Sequence, residues 1–421
     1  MTRNTGLSSK MRRLAALAAI AIAGTGAAAQ SVPSPVPVQT PAQILAQDGA
    51  EYARHYAVPL AEALQRLQAQ ENSVAATDRL QEIYVDRLAG IAIEHRPAYR
   101  IVVLLTGDAP VADQSVSAGG LQVPVIFRTG AKATRAEILA AIRTHQAAIR
   151  GELPRPPGMG ADARTGELVV MVKEAEMSSR SPRELQQVFA ALTGVPVRIR
   201  IIDRDADLSV DGGARLEGVD PANGRRYICT TGFVVTDGTR TGVATAAHCP
   251  DEVSYGEPGR KDVPLEFVGQ WGWAYRDVQI HASTTPLQPL FFADSAKTVA
   301  RPVATWRNRA STRAGDFVCH RGERTGYSCG EVEMTDFAPA GDLCGGPCEP
   351  TWVTVGGPHC RSGDSGSPVF NGSVAFGILK GGSYRPDGTC NFYFYMSTDY
   401  LPEGWTLLHR GSPASSLPGG H

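Results

Sequence analysis

The cysteines divide this chain of 421 residues into two unlike halves. All eight cysteines lie at or after Cys229, so the first half folds without disulfides. An even number of cysteines is typical of exported proteins, in which disulfides stabilise loop-rich domains. The length also suits two or three domains at roughly 150 residues each. The sequence therefore predicts a disulfide-bonded, exported second half behind a first half of a different kind.

Charge and composition limit the kinds of partner. The net charge is −1 and the isoelectric point is near 6.8, so no basic excess favours nucleic acid or an anionic membrane. Glycine (45 residues) and proline (29 residues) are frequent, which favours a loop-rich β domain over a helical one.

Residues 1–29 are typical of a secretory signal peptide. Basic residues at positions 3, 10, 12 and 13 precede the apolar run 14–23, and Ala27-Ala28-Ala29 provides a cleavage site. The run is short for a membrane span, and a retained anchor is the less favoured alternative. We expect the mature chain outside the cytoplasm, extracellular or periplasmic, without a membrane partner. The proline-rich residues 31–41 predict an extended linker.

The rest of the first half alternates helical and strand patterns. Apolar residues recur at three- and four-residue steps from Glu51 to about Ala92, which predicts helix. Strands are predicted at 99–105, 123–127, 167–172 and 195–202, and helices at 134–149 and from Ser181 to Leu192. This pattern predicts an α/β sheet packed by helices. The GMG at 158–160 precedes a strand, so it is not a dinucleotide-binding turn.

The chemistry of the chain centres on RSGDSGSP at residues 361–368. Ser365 stands on a glycine-rich turn, as a serine nucleophile does, and needs a base and oxyanion donors. TAAHC at 245–249 offers His248 as the base, and Asp277 offers an orienting carboxylate, with Asp251 and Asp294 as lesser rivals. The order His, Asp, Ser is that of chymotrypsin.

TAAHC and GDSGSP resemble the motifs of the chymotrypsin-like serine proteases. CTTGF at 229–233 and VCHRGERTGYSCG at 318–330 are similar to the streptogrisin and α-lytic protease branch. The resemblance implies an all-β domain of two six-stranded barrels with the site in the cleft between them. It also implies His248 as base and acid, Asp277 as orienter, and the N–H groups of Gly363 and Ser365 as the oxyanion hole. No cofactor or metal is expected.

The resemblance further implies three disulfides beside the site. These pairs are Cys229–Cys249, Cys319–Cys329 and Cys360–Cys390. Elimination then pairs Cys344 with Cys348, since a metal site at these two would need two further ligands.

The same resemblance places a substrate pocket, whose preference stays open. Its expected walls are Arg361, Ser362, Lys380, Gly381, Gly382, Ser383 and Phe392. His359 stands where trypsin-like pockets carry aspartate, so cleavage after Lys or Arg is not supported. Three basic groups near the pocket suggest acidic substrates, while its phenylalanines suggest apolar ones.

Some positions depart from the family pattern. Lys380 stands where the family usually has a serine beside the catalytic aspartate, and a cation at that place is expected to lower activity or to shape substrate choice. His320 stands where the branch often has arginine, with Arg321 next, which leaves the partner of Asp364 open. No start of the IVGG type occurs near residue 214. Activation by a buried new amino terminus is therefore not indicated.

Residues 203–213 are acidic and then glycine-rich, which is typical of an exposed junction open to proteolysis. The domain boundaries are accordingly signal peptide 1–29, linker and α/β pro-region 30–213, and protease domain 214–421, with the cut near 211–214.

The sequence thus predicts a secreted serine endopeptidase (a hydrolase) made as a zymogen. The resemblance of GMGADARTGELVV at 158–170 to the pro-region of the α-lytic protease group implies that the pro-region assists folding and inhibits. The expected partners are a protein or peptide substrate and the chain's own pro-region, with the enzyme a monomer. The alternative is a secreted interaction protein without activity on a protease scaffold.

Overall fold

The computed structural model describes most of the chain in eleven ranges. They are residues 36–177, 180–202, 206–207, 215–219, 224, 226–256, 263–341, 343–357, 359–361, 363–385 and 390–412. The predicted signal peptide, the predicted cut at 211–214 and Ser362 of the expected pocket lie outside these residues.

The α-helices of the described residues all belong to the first half. They are α1 (Pro41–Tyr56), α2 (Leu60–Asn72), α3 (Val74–Ile83), α4 (Arg135–Gly151) and α5 (Pro182–Thr193). Three of these helices begin with a capping box, in which the cap hydroxyl accepts a hydrogen bond from a backbone N–H and the Gln or Glu three residues later accepts one from the cap N–H. The cap residues are Thr40 for α1, Thr134 for α4 and Ser181 for α5. None of the described helices is both long enough and apolar enough to cross a membrane.

The predicted helix from Glu51 to about Ala92 is wrong at its end. After α3 the chain forms strand β1 (Leu88–Glu94), which pairs antiparallel with the next strand and sets Ile91 opposite Val103. A buried strand offers main-chain partners and an apolar surface, and these override a helix-like spacing of apolar residues.

Two sheets organise the first half. The first contains β1, β2 (Arg100–Thr106), β3 (Gln114–Ala118) and β4 (Leu121–Ala131), in the order β1-β2-β4-β3. The second contains β5 (Gly158–Asp162), β6 (Glu167–Lys173) and β7 (Val197–Ile202). Ile142 of α4 and Phe189 of α5 pack with Val170 of β6 in a buried core, so helices cover this sheet as predicted.

The rest of the chain is built almost entirely of strands. They are β8 (Ala206–Asp207), β9 (Arg215–Val219), β10 (Arg226–Thr230), β11 (Val234–Thr236), β12 (Thr241–Thr245), β13 (Val253–Gly256), β14 (Val263–Pro264), β15 (Glu266–Trp271), β16 (Val278–Ala282), β17 (Leu290–Phe292), β18 (Ala300–Pro302), β19 (Thr305–Trp306), β20 (Phe317–Gly322), β21 (Gly326–Ala338), β22 (Trp352–Gly356), β23 (Pro368–Asn371), β24 (Val374–Tyr384), β25 (Cys390–Ser397) and β26 (Thr406–Leu407). Short 3₁₀ helices lie at Glu174–Glu176 and Thr398–Tyr400.

These strands form two barrel-like bodies. In the first, β10-β9-β13-β14 and β15-β16-β12-β11-β26 form sheets of four and five strands. In the second, six strands follow one another as β20-β23-β24-β25-β22-β21, and β20 pairs with β21 to close the barrel. The all-β fold class predicted for the second half is therefore confirmed.

Strand β21 joins the closed barrel to the first half. Its far end pairs antiparallel with β5, with Phe337 opposite Gly160. A β-carbon on Gly160 would lie 2.9 Å from Met334 Sδ and 3.0 Å from the Asp336 carbonyl oxygen, so a side chain there would displace Met334 and crowd the facing strand. The GMG segment therefore serves this seam between the halves, and Val36–His421 forms one compact unit.

Candidate active site

His248, Asp277 and Ser365 meet in one hydrogen-bonded line. His248 follows β12, Asp277 directly precedes β16, and Ser365 lies in the turn before β23. His248 Nδ1 lies 2.9 Å from Asp277 Oδ2, and His248 Nε2 lies 2.9 Å from Ser365 Oγ. The structure thus brings together the three residues that the sequence singled out, in the geometry of a nucleophile, a base and an orienting carboxylate.

The carboxylate of Asp277 is buried and carries a second cationic contact. Its exposed fraction is 1%, and Lys380 Nζ lies 3.3 Å from Oδ2. Burial raises the pKa of this carboxyl, but the attraction of His248 and Lys380 outweighs burial and lowers the pKa to about 2. Asp277 is therefore ionised at any pH at which a histidine base is neutral.

Lys380 is enclosed beside the triad. Its side chain is 1% exposed, and its ammonium lies 4.9 Å from the centre of the Trp352 ring. Burial lowers the pKa of Lys380, and the neighbouring Asp277 opposes this shift. The charge of Lys380 is thus directed at Asp277.

The turn that carries Ser365 is fixed from several sides. The Ser365 carbonyl accepts a hydrogen bond from Thr230 N (2.8 Å), and Gly366 N donates to the Leu379 carbonyl (2.7 Å). Gly366 has φ +89°, and a β-carbon there would lie 2.2 Å from the Thr230 carbonyl oxygen, so only glycine fits. The N–H groups of Gly363 and Ser365, the expected oxyanion hole, belong to this turn. Its backbone is therefore tied to both barrels.

The partner of Asp364 is Thr325, a residue that the sequence reasoning missed. Thr325 Oγ1 donates to Asp364 Oδ2 at 2.7 Å, and Arg361 N donates to the same oxygen at 2.9 Å. The backbone N–H groups of Arg324 and Thr325 reach Oδ1 at 3.2 and 3.3 Å. His320 Nε2 is 3.8 Å from Asp364 and contacts Thr325 Oγ1 at 3.2 Å instead.

The expected pocket residues lie on strand β24 and behind it. Gly381, Gly382 and Ser383 belong to β24, and Arg361 is exposed at the start of the serine turn. Phe392 is 1% exposed and packs in the interior, under the guanidinium of Arg200 from β7 at 5.4 Å. The first half therefore contacts the inner side of this region.

A short strand of the chain itself lies along the pocket edge. Strand β8 pairs antiparallel with β24, with Asp207 opposite Gly382 and Ala206 opposite Ser383. These partners follow Lys380, whose carbonyl oxygen lies 3.2 Å from Ser365 Oγ. The segment before the predicted cut therefore occupies the edge next to the serine.

The four disulfides have the pairing given by the sequence analysis. They are Cys229–Cys249, Cys319–Cys329, Cys344–Cys348 and Cys360–Cys390. The first adjoins His248, and the last ties the start of the serine turn to β25. Because Cys344 and Cys348 are bonded to each other, they are not free to bind a metal ion.

The similarity to the known proteins named here covers less than half of the chain. No family model matches the chain. Streptogrisin-C of Streptomyces griseus is 28% identical over 203 residues, which cover 45% of this chain and 40% of that protein. The chain thus spans well under two thirds of the length of this relative.

Similar solved structures carry protease names as well. Protease A of Thermobifida fusca is 23% identical with a TM-score of 0.38 and covers 47% of this chain and 97% of its own. Cellulomonas bogoriensis chymotrypsin is 20% identical with a TM-score of 0.36 and covers 46% of this chain and 96% of its own. The motifs around the site and the relationship to Streptogrisin-C make the second half of the chain similar to the chymotrypsin-like serine proteases of the streptogrisin and α-lytic protease branch.

Proposed function

We propose that the chain is a secreted serine endopeptidase that hydrolyses peptide bonds through an acyl-enzyme on Ser365. The observation that carries the proposal is the pair of 2.9 Å contacts that link Ser365 Oγ to His248 and His248 to the buried Asp277. A serine hydroxyl is a weak nucleophile at neutral pH, and a base at this distance removes that limit.

The chemistry follows from these positions. His248 Nε2 takes the proton of Ser365 as Oγ attacks the substrate carbonyl carbon, and Asp277 stabilises the imidazolium. The N–H groups of Gly363 and Ser365 receive the oxyanion, and loss of one such donor costs about 10²-fold or more in rate. The C–N bond then breaks as His248 gives its proton to the leaving amine. Water, activated by His248 in the same way, releases the acyl group.

The substrate is a protein or peptide in extended form. Residues 381–383 of β24 offer main-chain groups to an added strand, and the chain's own β8 is paired there. This mode binds the backbone of many sequences, while the pocket beside it selects a side chain. We expect the mature enzyme to act as a monomer outside the cytoplasm.

We also propose that the first half is a pro-region, separated by a cut near residues 211–214. The pairing of β8 with β24 supports an inhibitory role, because a substrate strand needs the same edge. The seam between β5 and β21 supports a role in folding, since it gives the long strand of the barrel a preformed partner. A barrel built from distant pairings folds slowly without such help.

The test is the Ser365→Ala variant beside the wild type and a Ser115→Ala control, whose serine is exposed in β3 of the first half. Secreted protein is incubated with a peptide library, and products and the protein's own amino terminus are read by mass spectrometry. Ser365→Ala should lose both hydrolysis and precursor cleavage, while the control keeps both. Hydrolysis that survives in Ser365→Ala contradicts the mechanism.

A fluorophosphonate probe separates the proposal from the alternative without activity. The probe forms a covalent bond only with an activated serine, so wild type and Ser115→Ala should be labelled at Ser365. Processed wild-type protein that stays unlabelled would instead indicate a secreted interaction protein on a protease scaffold.

A further inference from the structure

We propose that Lys380 is a positioning residue of this site, which holds the Asp277 carboxylate with a buried positive charge and extends hydrolysis to lower pH. The proposal deepens the endopeptidase function above and rests on it. It assigns a role to a residue that differs from the serine usual at this position.

The geometry makes Lys380 a direct partner of the triad. Lys380 Nζ lies 3.3 Å from Asp277 Oδ2, the same oxygen that His248 Nδ1 contacts at 2.9 Å. Both Lys380 and Asp277 are 1% exposed, so solvent screens this contact little. The carboxylate oxygen is therefore shared by a histidine and a cation and has little freedom to rotate.

The surroundings of Lys380 hold its ammonium in place. The face of the Trp352 ring lies 4.9 Å from Nζ, a distance at which aromatic rings attract cations. Asp277 makes its backbone contact with Met396 Sδ, where its N–H donates at 3.4 Å. Trp352 in β22 and Met396 in β25 are neutral side chains, so they add no ionised group beside Lys380 and Asp277. The Trp352 ring adds only its attraction for the ammonium.

The charged groups that face Asp277 are His248, from the loop after β12, and Lys380, from β24. Arg276 adjoins Asp277 in the chain but places its guanidinium over the Tyr275 ring, 4.9 Å from its centre. Asp277 in turn is the charged group that acts on Lys380. The Asp277 carboxylate thus lies between two basic groups.

This arrangement has a consequence for the pH range of the reaction. His248 Nδ1 and Lys380 Nζ contact one oxygen, so they lie no more than about 6 Å apart. A charge on Lys380 repels a second positive charge at this distance, so it opposes protonation of the site in acid and favours hydrolysis at lower pH. Loss of that charge should move the acid limb of the rate profile upward by about one to two pH units.

The experiment measures kcat/KM against pH for the wild type and three variants at this position. Lys380→Met keeps the length of the side chain, Lys380→Ser restores the usual family residue, and Lys380→Arg keeps the charge. An Arg240→Met control removes an exposed basic residue of the protease domain, which pairs with Asp237 and Glu266. We expect the Met and Ser variants to shift the acid limb upward, while the Arg variant and the control keep the wild-type midpoint.

An acid limb that stays in place in both neutral variants overturns the proposal. Activity that appears only after Lys380 is replaced overturns it as well. If neither neutral variant folds, the ammonium of Lys380 is followed by nitrogen NMR in the Ser365→Ala protein. A neutral amine at the pH of maximal activity then overturns the proposal.

Failure of the endopeptidase function is recognised separately. A wild-type protein that hydrolyses no peptide contradicts that function. The effect of Lys380 is then measured by an NMR pH titration of the His248 ring signals in Ser365→Ala, with and without Lys380→Met. Equal titration midpoints in these two proteins contradict the role of Lys380.

Discussion

Replacing Asp48 by alanine removes the carboxylate that joins α1 of the first half to the closed barrel. Arg301 Nη1 of β18 contacts the two Asp48 oxygens at 2.9 and 3.0 Å. Tyr327 Oη donates to Asp48 at 2.6 Å, and Gly372 N donates at 2.8 Å. Arg301 is 0% exposed and Asp48 is 1% exposed, so the pair is withdrawn from water.

The cost of Asp48→Ala follows from that burial. Breaking a buried ion pair leaves a charge without compensation, which typically costs about 3–5 kcal/mol. The surroundings allow Arg301 little hydration, because its guanidinium is buried and lies 5.1 Å from the centre of the Phe370 ring. We therefore expect the free energy of unfolding to fall by about 3–5 kcal/mol.

Urea unfolding of the Ser365→Ala precursor measures this loss without self-digestion. Asp86→Ala is the matched control, since Asp86 is exposed, and it should change stability by less than about 0.5 kcal/mol. Adding Arg301→Met to Asp48→Ala should recover part of the loss, because an apolar side chain can replace a buried charge. A loss below about 1 kcal/mol in Asp48→Ala would refute the reasoning that this pair docks the first half.

Two further predictions concern the serine turn and acid stability. Thr325→Val removes the 2.7 Å hydrogen bond to Asp364. Steady-state kinetics should show that kcat falls about tenfold with little change in KM. An unchanged kcat contradicts a role of Thr325 in holding the turn. Burial lowers the pKa of His95 to about 4, so the folded state binds fewer protons than the unfolded chain at mildly acidic pH. The free energy of unfolding should therefore fall by up to about 3 kcal/mol as the pH is lowered from 6.5 to 4. His95→Asn should flatten that part of the stability curve in urea unfolding, and an equally steep curve would count against this origin.

Short-range signals made much of this chain predictable. The motifs around His248 and Ser365 are local and specific, and the caps at Thr134 and Ser181 fix helix starts through contacts within one turn. Strands with apolar runs, such as β2 and β6, were likewise predicted close to their observed bounds.

Features that depend on distant contacts were not predictable in the same way. The hydroxyl of Thr325 reaches Asp364 across 39 positions, and its neighbour His320 was the more conspicuous candidate. Gln39, in the predicted extended linker, donates its N–H to the Ala300 carbonyl at 2.8 Å, a contact that only the docked first half creates. The resemblance placed Lys380 beside Asp277, but the packing of its ammonium against the Trp352 ring depends on a distant contact.

The contact between the two halves at Gly160 should make them evolve together. The space for residue 160 is set by Met334 and Asp336, far along the chain in the barrel. A side chain at residue 160 therefore fits best together with a smaller side chain at residue 334. Natural relatives should have inherited these positions as pairs, and a first half borrowed from another lineage should serve this barrel only if it carries the corresponding small residue.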